Sequence, residues 1–217
     1  MEIRAYNELY MESARNNLGN MFDFAIVTLG IDISVFEAMF KISSVSKHLA
    51  SGNPAYVCGR NGCELARMIL DESGMTYTDK NDVMYIDKSP EYWSGWALAF
   101  YQWYRAVKYS EILSAVKIKD ITNMYAIYHE MDIMKFVDEI DRRIAKSLPR
   151  TNLRTHRERC NLSQSKLADL SGVPLRQIQL FEQRQRDINK TQAITLLALS
   201  KALHCSMEDL MEPAYFD

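Results

Sequence analysis

Several features that mark particular classes of protein are scarce or missing in this sequence. No apolar run reaches the roughly 18 residues that a membrane span needs, and five prolines and eight glycines among 217 residues are too few for a disordered or fibrous chain. The first 17 residues include acidic side chains early and have no apolar signal-peptide core. These absences predict a cytoplasmic protein of one or two globular domains that does not associate with membranes.

The spacings typical of metal and catalytic sites are also missing. The four cysteines, Cys58, Cys63, Cys160 and Cys205, form no Cys-x-x-Cys pair, and the four histidines do not complete a zinc pattern. There is no Gly-rich phosphate loop, nucleophile elbow or His-Glu-x-x-His motif. We therefore expect reduced thiols, no metal, no cofactor and no enzymatic activity.

The small net charge of -2 conceals an uneven distribution along the chain. Residues 150–190 carry nine Lys and Arg against four Asp and Glu, whereas the segments on either side are net acidic. A basic block on a mildly acidic chain is typical of a polyanion-binding module joined to another domain.

Most of the chain has helical periodicity, so the predicted fold class is mainly α. Residues 75–86 alternate weakly around an Asp-Lys-Asn-Asp centre, which favours a small β-hairpin. Pro149 cannot continue the apolar stripe that precedes it. This predicts a helical sensing or protein-interaction domain at residues 1–149 and a second domain at residues 150–217.

Helix caps can be assigned locally in the first domain. Ser34 and Glu37 are spaced as a capping box, and Asn61 and Ser89 precede helical segments. The stretches that begin before residue 75 end at Gly30, Gly52 and Gly74, which suit helix C-termini.

One segment of the first domain is unusually aromatic. In "SPEYWSGWALAFYQWYRAVKYS", four aromatic residues recur at three- and four-residue steps: Trp93, Trp96, Phe100 and Trp103. Tyrosines flank this face, which favours a central core helix. The alternative is an exposed aromatic groove that binds a partner through these four residues.

Residues 151–204 contain four short apolar-periodic segments, and "SMEDLME" adds a fifth. Ser163 is a predicted N-cap, and Gly172 supplies the positive φ of a sharp helix end. Ser206 and Asp209 are spaced as a capping box. Two short helices joined by a Gly turn inside a small bundle form a helix-turn-helix.

The stretch "LRTHRERCNLSQSKLADLSGV", followed by Phe-Glu and "LLALSKALHCSMEDL", resembles the Cro/C1-type helix-turn-helix of the XRE family. The resemblance covers residues 153–211 and implies a five-helix bundle that binds an operator in double-stranded DNA. It also implies that Arg157 and Glu182 form a structural ion pair. Arg184 stands where the family often has glycine. Asn161 replaces another glycine of the family, and asparagine tolerates the left-handed conformation.

The expected DNA-binding residues follow from the third helix of this bundle entering the major groove. Arg can bind guanine, Gln can bind adenine, and apolar groups can contact thymine methyls. Basic residues beyond the helix suit phosphates, and Gln164 suits a phosphate at the N-terminus of the second helix. The complete predicted set is Gln164, Leu175, Arg176, Gln177, Gln179, Leu180, Arg184, Arg186 and Lys190.

The first domain is similar to N-terminal domains of uncharacterised bacterial helix-turn-helix proteins, some of them encoded beside toxin-like proteins. The expected function is a transcriptional regulator, most simply a repressor, acting as a homodimer whose interface lies largely in residues 1–149. The alternative is an antitoxin that binds a toxin through residues 1–149 and represses its own operon. An enzyme acting on a small molecule or nucleic acid is the least favoured interpretation.

Overall fold

The computed structural model describes residues 4–82, 87–147 and 150–212, and within these ranges the regular structure is helical. The described residues fall into two compact units, one that ends at Ile144 and one that begins at Ala145. All four cysteines are free thiols. No helix in the described ranges is both long enough and apolar enough to span a bilayer.

Within the described ranges the first unit contains eight α-helices and all but the last three residues of a ninth. They are α1 (Met11–Phe22), α2 (Ile33–Ile42), α3 (Ser44–Ala50), α4 (Pro54–Val57), α5 (Gly62–Glu72), α6 (Pro90–Arg105), α7 (Tyr109–Ala115), α8 (Ile118–Tyr128) and α9 (Ile133–Ser147). A 3-10 turn at Glu8–Tyr10 precedes α1, and a π-helical segment at Asp23–Thr28 continues it.

The predicted capping box of α2 is wrong. Asp32 is the N-cap, and its carboxylate accepts hydrogen bonds from the backbone N–H groups of Ser34 and Val35. Glu37 instead accepts a 2.7 Å hydrogen bond from the backbone N–H of Ile118 and pairs with Lys117 at 3.2 Å. The Glu37 carboxylate, which local spacing assigned to the start of α2, is therefore bound by residues far along the chain.

The other predicted helix ends of this unit are confirmed. The side chains of Asn61 and Ser89 accept hydrogen bonds from the first turns of α5 and α6. Gly30, Gly52 and Gly74 all have φ between 64° and 75°, the left-handed region in which glycine avoids the Cβ clash.

Helix α6 is the most buried helix of this unit and packs directly on α1. The two backbones approach so closely that a Cβ on Gly95 would lie 2.4 Å from the carbonyl oxygen of Leu18. Trp93, Phe100 and Trp103 are buried, whereas Trp96 is partly exposed and carries the Arg15 guanidinium over its ring at 3.3 Å. The core prediction therefore holds for three of the four aromatic residues.

The predicted hairpin falls partly outside the described residues. Residues 75–82 contain no strand, and residues 83–86 lie outside the described ranges. Arg67 holds the described part, because its guanidinium contacts Asp79 at 2.9 Å and Asp82 at 2.7 Å. Pro149, to which the sequence assigned the end of the preceding helix, also lies outside the described residues, and α9 ends at Ser147.

The second unit is a small helical bundle. Its helices are α10 (Asn152–Arg159), α11 (Gln164–Ser171), α12 (Leu175–Glu182) and α13 (Ala193–Leu203), with 3-10 turns at Ile188–Lys190 and Glu208–Leu210. The fifth predicted segment is the second of these turns. Its capping box is present, since Ser206 and Asp209 exchange backbone-to-side-chain hydrogen bonds of 2.9 and 3.2 Å. The core combines side chains of α10 to α13 and the two turns: Leu153, Leu167, Val173, Ile178, Phe181, Ile188, Leu199, Leu203 and Leu210.

Candidate DNA-binding site

Helix α11 is bounded by the residues that the sequence indicated. The hydroxyl of Ser163 accepts a 3.1 Å hydrogen bond from the backbone N–H of Lys166. Gly172 ends the helix with a φ of 71°, which turns the chain sharply toward α12. Asn161 has a φ of 54°, so it takes the left-handed conformation expected of it.

Helix α12 begins at Leu175, with Pro174 as its N-cap. Ile178 and Phe181 are buried in the core of the bundle. These two inward anchors are three residues apart, so they fix which face of α12 points away from the core.

The outward face of α12 carries the predicted base-reading residues. Arg176 is exposed, and Leu175 is 37% exposed. Gln177, Gln179 and Leu180 are partly exposed. All five are therefore accessible, and Arg176 is the only charged member of the set.

Behind this face, one carboxylate joins three helices. Arg157 of α10 donates from Nε and Nη2 to the two oxygens of Glu182 on α12, at 2.7 and 2.9 Å. Glu182 raises the pKa of Arg157 through these hydrogen bonds, against the lowering effect of burial. The structure thus brings together the two residues that the resemblance paired.

Gln164 of α11 belongs to the same cluster. Its Nε2 donates to the Glu182 carboxylate at 2.8 Å. Sequence reasoning had assigned this amide to a DNA phosphate, but in the structure one of its two N–H donors is directed to Glu182. The backbone start of α11 remains the anion-attracting feature at this position.

Arg184 differs more clearly from expectation. It has a φ of 54°, where the family often has glycine, and its Nη2 donates to Glu212 at 2.9 Å in a mostly buried ion pair. Glu212 also accepts from the backbone N–H of Asn152. Sequence reasoning overlooked Glu212, because it lies beyond the resemblance and nothing local indicates its partners.

The remaining two basic residues, Arg186 and Lys190, are both exposed beyond the C-terminal end of α12. Arg186 is exposed just after α12, with its guanidinium 6.0 Å from the centre of the Phe181 ring. Lys190 is exposed and lies 3.6 Å from Asp187. Such an exposed pair is weak, so Lys190 stays available to a phosphate.

The alternative of an exposed aromatic groove on α6 needs correction. The four aromatic residues of α6 do not form an open groove, because Trp93, Phe100 and Trp103 are buried. The helix-turn-helix bundle leaves some large apolar side chains exposed. Leu170 is 55% exposed and Ile194 is 68% exposed, beside a groove of about 510 Å³ between α11 and α13.

The described residues hold no group of three or more His, Cys, Asp or Glu side chains arranged to bind a metal ion. The groups at this site are an exposed Arg, partly exposed amides and apolar side chains on α12, and basic residues beyond its C-terminus.

Comparison with protein families agrees with this geometry. Residues 153–210 match the family HTH_3, described as helix-turn-helix. Neither the curated proteins nor the solved structures contain a match to the chain. The matched range includes α10 to α13 and both residues of the Arg157–Glu182 pair. Residues 153–210 are therefore a Cro/C1-type helix-turn-helix domain, which implies that the protein binds DNA.

Proposed function

We propose that the protein is a sequence-specific transcriptional repressor that binds its operator as a homodimer. The observation that carries the proposal is the outward face of α12, on which Arg176 is exposed while the only acidic residue of the helix, Glu182, is held inward. The helix therefore presents hydrogen-bond donors and methyl groups to the major groove without presenting a free negative charge.

The base-reading roles follow from the chemistry of each side chain. Arg176 suits the O6 and N7 acceptors of guanine, and Gln177 and Gln179 suit the N6 and N7 atoms of adenine. Leu175 and Leu180 suit thymine methyl groups. Arg186 and Lys190 supply sequence-independent phosphate contacts.

We assign Gln164 and Arg184 secondary roles in this proposal. Gln164 orients Glu182 and has one further amide N–H with which to meet a phosphate beside the first turn of α11. Arg184 holds the end of the domain through Glu212 and contributes positive charge near the groove wall.

The homodimer is part of the proposal because one helix-turn-helix unit spans only about half a turn of groove, so specific binding at physiological salt usually needs two. Leu170 and Ile194 give the DNA-binding domain exposed apolar surface of its own. Residues 1–149 therefore need not supply the whole interface.

Selection of binding sites from random duplexes, using the full chain, tests the proposal directly. The expected site is an inverted repeat with half-site centres about 10 base pairs, or a multiple of that, apart. Footprinting of the selected site and sedimentation of the free protein at micromolar concentration complete the test. A selected site without two-fold symmetry, or a monomer on a single half-site, would contradict the dimer.

Repression is tested by transcription in vitro from a promoter that overlaps the selected site. The expected result is a loss of transcript that follows site occupancy and disappears when the site is mutated. Unchanged or increased transcription at full occupancy would contradict the repressor assignment while leaving DNA binding intact.

We do not extend the proposal to an antitoxin role. An antitoxin would need a surface that binds the toxin, and the aromatic face of α6 was the candidate for it. Most of that face lies in the core of the first unit, since Trp93, Phe100 and Trp103 are buried.

A further inference from the structure

A cavity of about 520 Å³ lies within the first unit, between α3, the last turn of α6 and the start of α7. Its volume falls in the range of small-molecule sites. The residues that give it chemical character are Lys41, Ser46, Lys47, Ser51, Gln102 and Lys108. Both hydrogen-bonding groups and charge therefore line the same space.

Gln102 provides the clearest indication of a ligand. The residue is 1% exposed, and its Nε2 donates to the carbonyl oxygen of Ala50 at 3.1 Å. That bond fixes the orientation of the amide, because the flipped form would place two carbonyl oxygens together. Its Oε1 has no hydrogen-bond partner among the described residues, and a buried acceptor without a donor is unfavourable.

Two of the three serines that line the cavity, Ser46 and Ser51, have used their donors. The hydroxyl of Ser46 donates to the carbonyl of Ser43, and that of Ser51 donates to the carbonyl of His48, both at 3.0 Å. Each hydroxyl oxygen keeps lone pairs that can accept. Together with Gln102, they offer acceptors to a ligand that carries several O–H or N–H groups, and Ser110 adds a further hydroxyl to the lining.

The three lysines give the cavity a positive rim, and no carboxylate side chain lines it. Lys108 lies 3.7 Å from Glu111 in an exposed pair. Lys41 and Lys47 have no carboxylate within ion-pair distance in the part of the chain that the structure describes. Lysine ammonium groups are compact charges that suit phosphate.

We infer that this cavity binds a sugar monophosphate, with its phosphate at the lysine rim and its hydroxyl groups donating to Gln102, Ser46 and Ser51. The inference is independent of the proposed repressor function, because every residue that carries it lies in the first unit. Its physical basis is the complementarity between a ligand with an anionic end and a donor-rich body, and a cavity with a cationic rim and an acceptor wall.

Isothermal titration calorimetry of the full chain with three probes separates the two halves of this recognition. Glucose 6-phosphate is expected to bind at least about tenfold more tightly than inorganic phosphate, and glucose at the same concentration is expected to bind more weakly still. Equal affinity for glucose 6-phosphate and inorganic phosphate, or no binding of glucose 6-phosphate, would overturn the inference.

Variants locate the site. Lys47→Gln removes an exposed charge from the rim and is expected to weaken glucose 6-phosphate binding about tenfold, while the matched Lys135→Gln, an exposed lysine on α9 outside the cavity, leaves it unchanged. Gln102→Met keeps the side-chain length but removes the acceptor, so it should weaken glucose 6-phosphate and leave inorganic phosphate unaffected. Tryptophan fluorescence checks that each variant is folded. Binding that is insensitive to Lys47→Gln would place the ligand elsewhere.

Discussion

Helices α6 and α12 both have a proline at their N-terminus, Pro90 as the first residue of α6 and Pro174 as the N-cap of α12, but they use their side chains in opposite ways. Ten of the sixteen residues of α6 are buried, against two of the eight residues of α12. The aromatic and polar groups of α6 are therefore used within the chain, whereas most of α12 faces outward. The difference shows that richness in aromatic or polar residues does not by itself indicate a binding surface. What matters is whether the rest of the chain already covers it.

The largest expected effect concerns the buried face of α6. Trp93→Ala should lower the free energy of unfolding of the first unit by about 3–5 kcal/mol, because Trp93 packs edge-on against Phe136 and Tyr125. All three tryptophans lie in residues 1–149, so the two that remain in the variant report the unfolding of the first unit. Denaturant titration followed by their fluorescence measures the loss of free energy of unfolding. Trp96→Ala is the matched control and should cost less, because Trp96 is partly exposed. Equal losses would contradict the distinction between the two residues.

A comparable effect is expected in the second unit from the pair behind α12. Arg157→Met leaves the buried Glu182 without its bidentate partner, and breaking a buried pair costs about 3–5 kcal/mol. Circular dichroism of the full chain should show an earlier transition, while tryptophan fluorescence, which reports the first unit, stays unchanged.

Arg154→Met is the control for this pair. Arg154 makes an exposed i,i+4 pair with Glu158 at 2.7 Å, and such pairs contribute roughly 0.3–0.5 kcal/mol. Similar transitions for the two variants would mean that burial of the Arg157–Glu182 pair does not decide its contribution.

The outward face of α12 should show a smaller effect, on binding rather than on folding. Arg176→Ala is expected to cost about 1–3 kcal/mol on the selected operator and to relax preference at one base pair. Arg186→Ala should weaken all sequences alike and reduce the salt dependence by about one phosphate contact. If repeated site selection with Arg176→Ala returns the wild-type sequence, Arg176 does not read a base.

The smallest effect compares two serine caps. Ser163→Ala removes the N-cap of α11 and should cost about 1 kcal/mol. Ser89→Ala removes the N-cap of α6 and also the hydroxyl that donates to the buried Asp23, so it should cost more. Thermal melts of the two variants test this order, and a larger loss for Ser163→Ala would reverse it.

The features that the sequence predicted well depend on a few neighbouring residues. Ser163, Gly172 and Asn161 behave as expected, because caps and left-handed positions are decided within one helical turn. The Arg157–Glu182 pair was accessible through the family resemblance. The helix ends and the central ion pair of the bundle at residues 153–210 could therefore be predicted from the sequence and its family resemblance.

The features that the sequence missed depend on partners far along the chain. Glu37 accepts a hydrogen bond from the backbone N–H of Ile118, 81 residues away. Arg184 donates a hydrogen bond to Glu212, 28 residues away. The sequence did not predict that Ile194 is exposed. Because α13 is apolar on nearly every side, the pattern does not indicate which face points to solvent. The unpaired acceptor of Gln102 could not be predicted from the sequence. It depends on the amide nitrogen, rather than the amide oxygen, facing the carbonyl of Ala50 in the folded chain.

The close approach of α1 and α6 at Gly95 limits how the first unit can move. The Leu18 carbonyl would lie 2.4 Å from a Cβ on Gly95, so no side chain separates the two backbones at this point. Rotation of α6 about its axis would drive a neighbouring side chain into the backbone of α1. This approach ties the position of α6 to that of α1, so the wall of the cavity that contains Gln102 is set by α1, while α2, α3, α7 and the connections beside them supply its other lining residues.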